Sequence, residues 1–289
     1  MAISRAYVNL TKPRIIELLL VTTVPAMVLA ARGMPNLWLI LGTLVGGTLT
    51  AGGANAINCY IDRDIDAVMK RTRGRSLPKH RIAPERALAF GIVIGAVGFL
   101  ELAVLINLLS AVLAVSAILF YVFVYTLWLK RSTTQNIVIG GAAGAIPPLV
   151  GWAAVTGRLD LPALVLFAII VVWTPPHFWA LALRYRGDYA AAGVPMLPVR
   201  AGDEATRRQI FWYSLALVAV SVLLYVTGGA GVVYLAVALV AGAALLRMAW
   251  QLMRVGDAFP VMKLFTYSIT YLTVLFGAMI VDQVARALV

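Results

Sequence analysis

Charge is what this sequence has least of. Only 12% of its 289 residues are charged, about half the share found in an average soluble domain. With 62% hydrophobic residues and a mean hydropathy of +0.92, too little polar surface remains to cover a water-soluble globule. Cysteine is nearly absent, and Cys59 alone excludes an internal disulfide, a Cys-rich zinc site and an iron–sulfur cluster. Histidine is almost as scarce. His80 and His177 stand far apart and form no HxxxH pair, so the usual protein-held transition metal is excluded as well. Acids number 12 against 24 Lys and Arg, a net charge of +12. In a soluble protein such a surplus would suggest nucleic acid. Here the cations sit between long apolar runs, which sets nucleic acid aside and points to a polytopic membrane protein.

A membrane-crossing helix needs about 20 mainly apolar residues. Nine stretches qualify, at roughly 15–34, 38–59, 87–107, 110–129, 135–156, 161–181, 209–228, 231–250 and 265–284. The runs are continuous rather than alternating, which excludes a β-barrel. The first has a basic lead and a small-residue end at Ala30–Ala31, like a signal peptide. It reads as a span because no soluble domain follows. Lys and Arg alternate by connection, with 21 of the 24 on the side of the N-terminus. The positive-inside rule then places the N-terminus in the cytoplasm and the C-terminus outside. The expected fold is all-α, a single domain over 1–289. Two long cytoplasmic loops, about 60–86 and 183–208, are where function should concentrate.

The first loop opens on Asn58-Cys-Tyr-Ile-Asp62-Arg-Asp64-Ile-Asp66. If the second helix continues, Asn58, Asp62 and Asp66 share one face and Asp64 points elsewhere. Two carboxylates one turn apart repel, and at a membrane boundary something cationic must compensate. Oxygen ligands from Asp and Asn suit Mg2+ carried with a phosphate. Lys70, Arg71, Arg73 and Arg75 follow, and the Arg fork matches phosphate oxygens. The plain alternative is a solvated helix end whose acids pair with nearby Arg.

The second loop begins after Thr174-Pro175-Pro176-His177, helix breakers inside an apolar run, tolerated where neighbours satisfy the freed carbonyls. It continues Arg184-Tyr-Arg186-Gly-Asp188-Tyr189 and later Pro195-Met-Leu197-Pro198, echoing Arg75-Ser-Leu77-Pro78 after Asp66. The echo suggests a weak internal duplication, with the two acidic loops facing each other and enclosing a diphosphate.

These residues resemble the UbiA superfamily of intramembrane prenyltransferases, whose first motif is the Asn-x-x-x-Asp-x-x-x-Asp of Asn58, Asp62 and Asp66. Within it they are most similar to the branch that farnesylates protoheme IX. The stretches that carry the likeness are Leu10–Arg14, Asn58–Arg73, Pro175–Trp179 and Tyr185–Pro198. Arg184 stands where most members have the first acid of a second pair, a departure shared with that branch. The resemblance implies nine helices around a central cavity open to lipid, in the cell inner membrane. It implies that farnesyl diphosphate, protoheme IX (heme B) and water give heme O and diphosphate. Asn58, Asp62 and Asp66 would hold Mg2+ on the diphosphate, with Asp188 beside them. Arg71, Arg75, Lys130, Arg184 and Arg186 would meet diphosphate oxygens, Arg184 alternatively a porphyrin propionate. His177 would contact the heme, position water or serve as a structural donor. A heme-handling partner, heme A synthase, is also implied. Glu17 and Glu101, acids inside spans one and three, receive no chemical role. Trp38, Trp128 and Trp152 read as interface anchors.

Two alternatives stand. A quinone-type prenyltransferase acting on an aromatic acid should carry the second acidic pair, against which Arg184 argues. A transporter of a lipophilic anion should bind near the bilayer midplane, whereas these acids cluster at one boundary.

Overall fold

The computed structural model describes residues 2–287. The side chains of residues 2, 14, 15, 17–20 and 287, Arg14 and Glu17 among them, lie outside the described residues. Every regular element among the described residues is helical, as expected where lipid offers no hydrogen bonds and each backbone group must be satisfied within its own segment. Among the described residues, eight helices are long and apolar enough to cross a membrane. They are Leu37–Ile61, Pro84–Ile106, Leu108–Ser132, Asn136–Thr156, Leu161–Arg184, Gly202–Val226, Val232–Ala258 and Val261–Arg286. Pro13–Ala31 is a ninth helix ahead of them. They are called spans one to nine below, in chain order from Pro13. A short helix, Ala2–Thr11, precedes them.

The ends of the helices follow local chemistry. Proline in the first turn starts Pro13–Ala31, Pro84–Glu101 and Leu161–Arg184, where its missing N–H costs nothing. Asn36 and Asn107 cap their helices by accepting from the N–H of Trp38 and Ser110. Span six runs unbroken through Pro175 and Pro176, and the Thr174 hydroxyl donates to the carbonyl of Ile170 at 2.8 Å.

The expected second loop is largely helical. Span six extends to Arg184, short helices cover Arg186–Ala191 and Leu197–Arg200, and span seven already begins at Gly202. The breakers Gly193 and Pro195 fall in the turn between the short helices. Trp152 also departs from expectation. It is buried, with its indole N–H on Asp160, whereas Trp38 and Trp128 are exposed as anchors would be.

The main core lies among spans one, five, six, seven, eight and nine and holds Leu166, Ile169, Tyr234, Tyr271 and Phe276. Spans two and three form a separate pair joined by small residues, the usual contact where lipid is as apolar as leucine. A Cβ on Gly53 would lie 2.7 Å from the Gly91 carbonyl oxygen and 2.9 Å from Gly95 Cα. Glu101, in span three, lies against Gly42 and Gly46, with one buried carboxylate oxygen lacking a hydrogen bond.

Because the atoms facing Gly53 are backbone, they cannot yield as a side chain would. Gly53→Val should therefore lower stability in detergent by about 1–3 kcal/mol, read as a lower Tm. An unchanged Tm would mean the two spans are free to separate.

Candidate active site

The site is assembled at one end of the bundle by four sequence-distant segments. The second span ends at Ile61, Asp62 takes φ −85° and ψ 8°, and a six-residue helix, Arg63–Val68, follows. The expected continuous helix is thus bent at Asp62. Its hydrogen bonds persist across the bend, from the Asp62 N–H to Asn58 and from the Asp66 N–H to Asp62. Asn58, Asp62 and Asp66 consequently stay on the buried side, at 3%, 1% and 2% exposure. The Asp64 side chain, at 61%, faces out.

Each buried carboxylate is met by a cation. Arg75 donates from Nη1 to both oxygens of Asp66 at 2.8 Å. Lys130 Nζ bonds Oδ2 of Asp62, which also accepts from Asn58 Nδ2 at 2.8 Å. Arg131 clasps Asp64 through two hydrogen bonds of 2.7 and 2.8 Å and lies 3.7 Å from Asp62 Oδ1. That clasp, above all, holds the Asp64 carboxyl at about 2, below its ordinary 3.8.

Lys130 and Arg131 reach the acids because span four widens into a π-helix over Phe120–Leu129. Within it the Thr126 hydroxyl donates to the Tyr121 carbonyl five residues back, at 2.7 Å, and its oxygen accepts from Asn58 Nδ2 at 3.1 Å. Gly140 opposite leaves room for the Tyr125 ring, which a Cβ there would meet at 2.2 Å. Wide turns of this kind recur at functional sites.

Lys12 is the residue sequence reasoning left without a role. Pro13 cannot continue the Ala2–Thr11 helix, and the chain turns at Lys12 in the left-handed region, φ 54°. Asn55 donates to the Thr11 carbonyl at 2.9 Å, pinning this turn to span two. Lys12 Nζ then donates to Asn58 Oδ1 at 2.7 Å. Partial burial lowers the pKa of its ammonium from the ordinary lysine value, against the pull of Asp62 and Asp66.

The second loop lies directly on the first. The Arg71 N–H donates to Asp188 Oδ2 at 3.0 Å. Ile65 and Met69 pack with Tyr189, Val194 and Met196. Arg71 and Arg184 both lie over the ring of Tyr185, at 5.7 and 5.9 Å from its centroid. Arg186 does not join this group, because its guanidinium is paired with Asp203 at 2.6 Å. His177 is also elsewhere. Its ring is stacked between Trp173 and Phe265, with Nδ1 2.8 Å from the Ser268 hydroxyl, a tie between spans six and nine.

The donor set suits a hard cation. One amide and two carboxylates offer oxygen, and Asp62 Oδ1 is buried with no hydrogen bond. Among the described residues no group of three His, Cys, Asp or Glu gathers. A metal held here would complete its shell with water and substrate oxygens, as Mg2+ does with phosphates.

The model of the UbiA prenyltransferase family matches residues 19–278. The chain belongs to this family. Proteins named protoheme IX farnesyltransferase are similar over nearly the whole of this chain. The protein of Frankia alni is 58% identical, covering 97% of this chain and 98% of its own. That of Gloeobacter violaceus is 57% identical, covering 96% and 92%. Among solved structures, a digeranylgeranylglyceryl phosphate synthase superposes with a TM-score of 0.81 at 18% identity, over 99% of this chain and all of that one. A UbiA homolog from Archaeoglobus fulgidus bound to DMAPP and Mg2+ gives 0.69 at 15% identity, over 94% and 98%.

Within this prenyltransferase fold the acids should be unequal. Asp62→Asn and Asp66→Asn should each lower prenyl transfer by about 100-fold or more. Asp64→Asn should stay within about fivefold, as for an exposed pair. Because the Asp64 carboxyl is depressed from 3.8 to about 2, its clasp stabilises fully above the upper value and is lost as pH falls through the lower. Asp64→Asn should remove that portion of the acid-unfolding curve. Equal activity losses at all three acids would contradict the placement.

Proposed function

We propose that the chain transfers the farnesyl group of farnesyl diphosphate to a vinyl group of protoheme IX, with addition of water, giving heme O and diphosphate. The observation that carries the chemistry is the buried row Asn58–Asp62–Asp66 with a cation on every member. The near-full-length similarity to proteins named protoheme IX farnesyltransferase supports the choice of acceptor.

Asn58, Asp62 and Asp66 would hold Mg2+ together with the diphosphate, and the metal when bound supplies neutralisation of the leaving group. Lys12, Arg75 and Lys130 already point at these oxygens. When the diphosphate arrives, Arg75 and Lys130 exchange a carboxylate partner, and Lys12 the amide oxygen of Asn58, for phosphate oxygens. Arg131 stays locked by Asp64 and keeps Lys130 flanked. Asp188, through the Arg71 N–H, holds the second loop against the first and so keeps Arg71 at the mouth of the site. Arg184, exposed beside Tyr185, meets a diphosphate oxygen or a porphyrin propionate.

The reaction breaks the bond between farnesyl C1 and the diphosphate oxygen. A bond forms between C1 and the terminal vinyl carbon, water adds its oxygen to the resulting cation, and one proton leaves to solvent. The nucleophile is a carbon–carbon double bond, so no side chain need deprotonate it. In this reading His177, held through Nδ1 by Ser268 between two aromatic rings, keeps Nε2 open to contact the heme or to position water. The 21 basic residues on the side of the acids support a cytoplasmic site and N-terminus with the C-terminus outside, and the cell inner membrane is the compartment proposed for this reaction. Heme B and farnesyl diphosphate are the substrates, and heme A synthase is the protein partner proposed to receive the product.

Mass analysis of heme extracted from cells expressing the chain should show heme O, and membranes stripped of Mg2+ by a chelator should make none until it is restored. Prenylated 4-hydroxybenzoate without heme O would overturn the acceptor in favour of the quinone-type reading.

A further inference from the structure

The bundle carries a second cavity, on the face opposite the acidic row. It measures about 620 Å3 and is bounded by the end of span one, the turn between spans five and six, the turn between spans seven and eight, and the end of span nine. Three cations surround it, Arg32, Arg158 and Arg286. These are the only three of the 24 basic residues that the charge alternation assigns to this face. Topology requires few cations here, and scattered ones would serve it equally well. They instead converge on one concavity from two connections and the end of span nine.

The acids nearby are already engaged. Asp282 is buried, and its carboxylate accepts from the Gly231 N–H at 2.5 Å and the Tyr234 N–H at 3.3 Å, capping span eight. Arg286 reaches it only at 4.0 Å. Asp160 is shared between Arg158, at 3.0 Å, and the Trp152 indole. The Arg32 side chain is exposed and has no hydrogen bond or ion pair among the described residues. Its backbone is left-handed, φ 51°, at the end of span one, a conformation that costs a non-glycine residue about 1–2 kcal/mol. Part of the lining is apolar, with Leu29, Trp152 and Pro162, and part is polar, with Thr156, Asp160 and Gln283 beside the three cations. The volume is that of a small-molecule site.

We propose that this cavity is a second binding site, separate from the prenyl-transfer site, for the carboxylate or phosphate head of a membrane amphiphile. The guanidinium groups take the anionic oxygens in forked hydrogen bonds, and the apolar part of the lining takes the adjoining hydrocarbon. Two sources share that chemistry, a porphyrin with its propionates and an anionic phospholipid.

The test uses the full-length chain purified in detergent, with bound molecules counted by native mass spectrometry. The probes are mesoporphyrin IX, its dimethyl ester, phosphatidylglycerol and phosphatidylcholine. The variants are Arg32→Ala and the triple Arg32→Ala/Arg158→Ala/Arg286→Ala. The wild type should hold one more molecule of an anionic probe than the triple variant. Arg32→Ala, whose side chain has no partner to lose, should weaken that binding by about tenfold. The ester and phosphatidylcholine should not compete, and prenyl transfer by Arg32→Ala should be unchanged. Arg dependence for mesoporphyrin identifies a porphyrin site, and for phosphatidylglycerol a lipid site. Wild-type affinity for both anionic probes in Arg32→Ala, at wild-type Tm, would overturn the proposal.

Discussion

Two buried carboxylates one helical turn apart at a membrane boundary repel each other and need cations beside them. Much of this molecule is arranged to meet that condition. Asp62 and Asp66 each take a full partner, Lys130 and Arg75, and Asn58 takes Lys12. Losing one partner of a buried pair would leave a charge costing about 3–5 kcal/mol. The balance is therefore strict, and the cations are held where a diphosphate would later need them.

Several otherwise odd backbone features follow from this. The π-helical turn of span four carries Thr126, Lys130 and Arg131 round to the row. The left-handed turn at Lys12, pinned by Asn55, brings a cation in from the N-terminal side. The bend at Asp62 tightens the second helix without turning the acids outward. Asp64 and Arg131 form an outer clasp that leaves Asp62 Oδ1 without a hydrogen bond.

The row itself was legible in the sequence because an i, i+4, i+8 spacing is a local property. So was the succession of spans, which follows from continuous apolar runs: eight helices among the described residues are long and apolar enough to cross a membrane, with Pro13–Ala31 ahead of them. The partners were less accessible. Lys12 lies 46 residues from Asn58 and Thr126 lies 68 from it, and no local pattern reports such contacts. Residues 183–208 read as loop because they form a charged connection between two apolar runs. Short helices nevertheless cover much of them, with Gly187 and Pro198 inside the helices and Gly193 and Pro195 in the turn. Arg186 carries the same charge as Arg71 and Arg75, and only the fold shows that Asp203 claims it. Trp152 looked like an interface anchor because composition cannot tell an aromatic at the water boundary from one packed inward.

The central claim is that the acidic row and its cations form one site for a metal-bound diphosphate. It is tested most directly by measuring the affinity of a non-hydrolysable thio analogue of farnesyl diphosphate with and without Mg2+. The wild type should bind it much more tightly with Mg2+, and Asp62→Asn should bind it weakly and almost independently of the metal. Equal affinity with and without Mg2+ in the wild type would contradict the account.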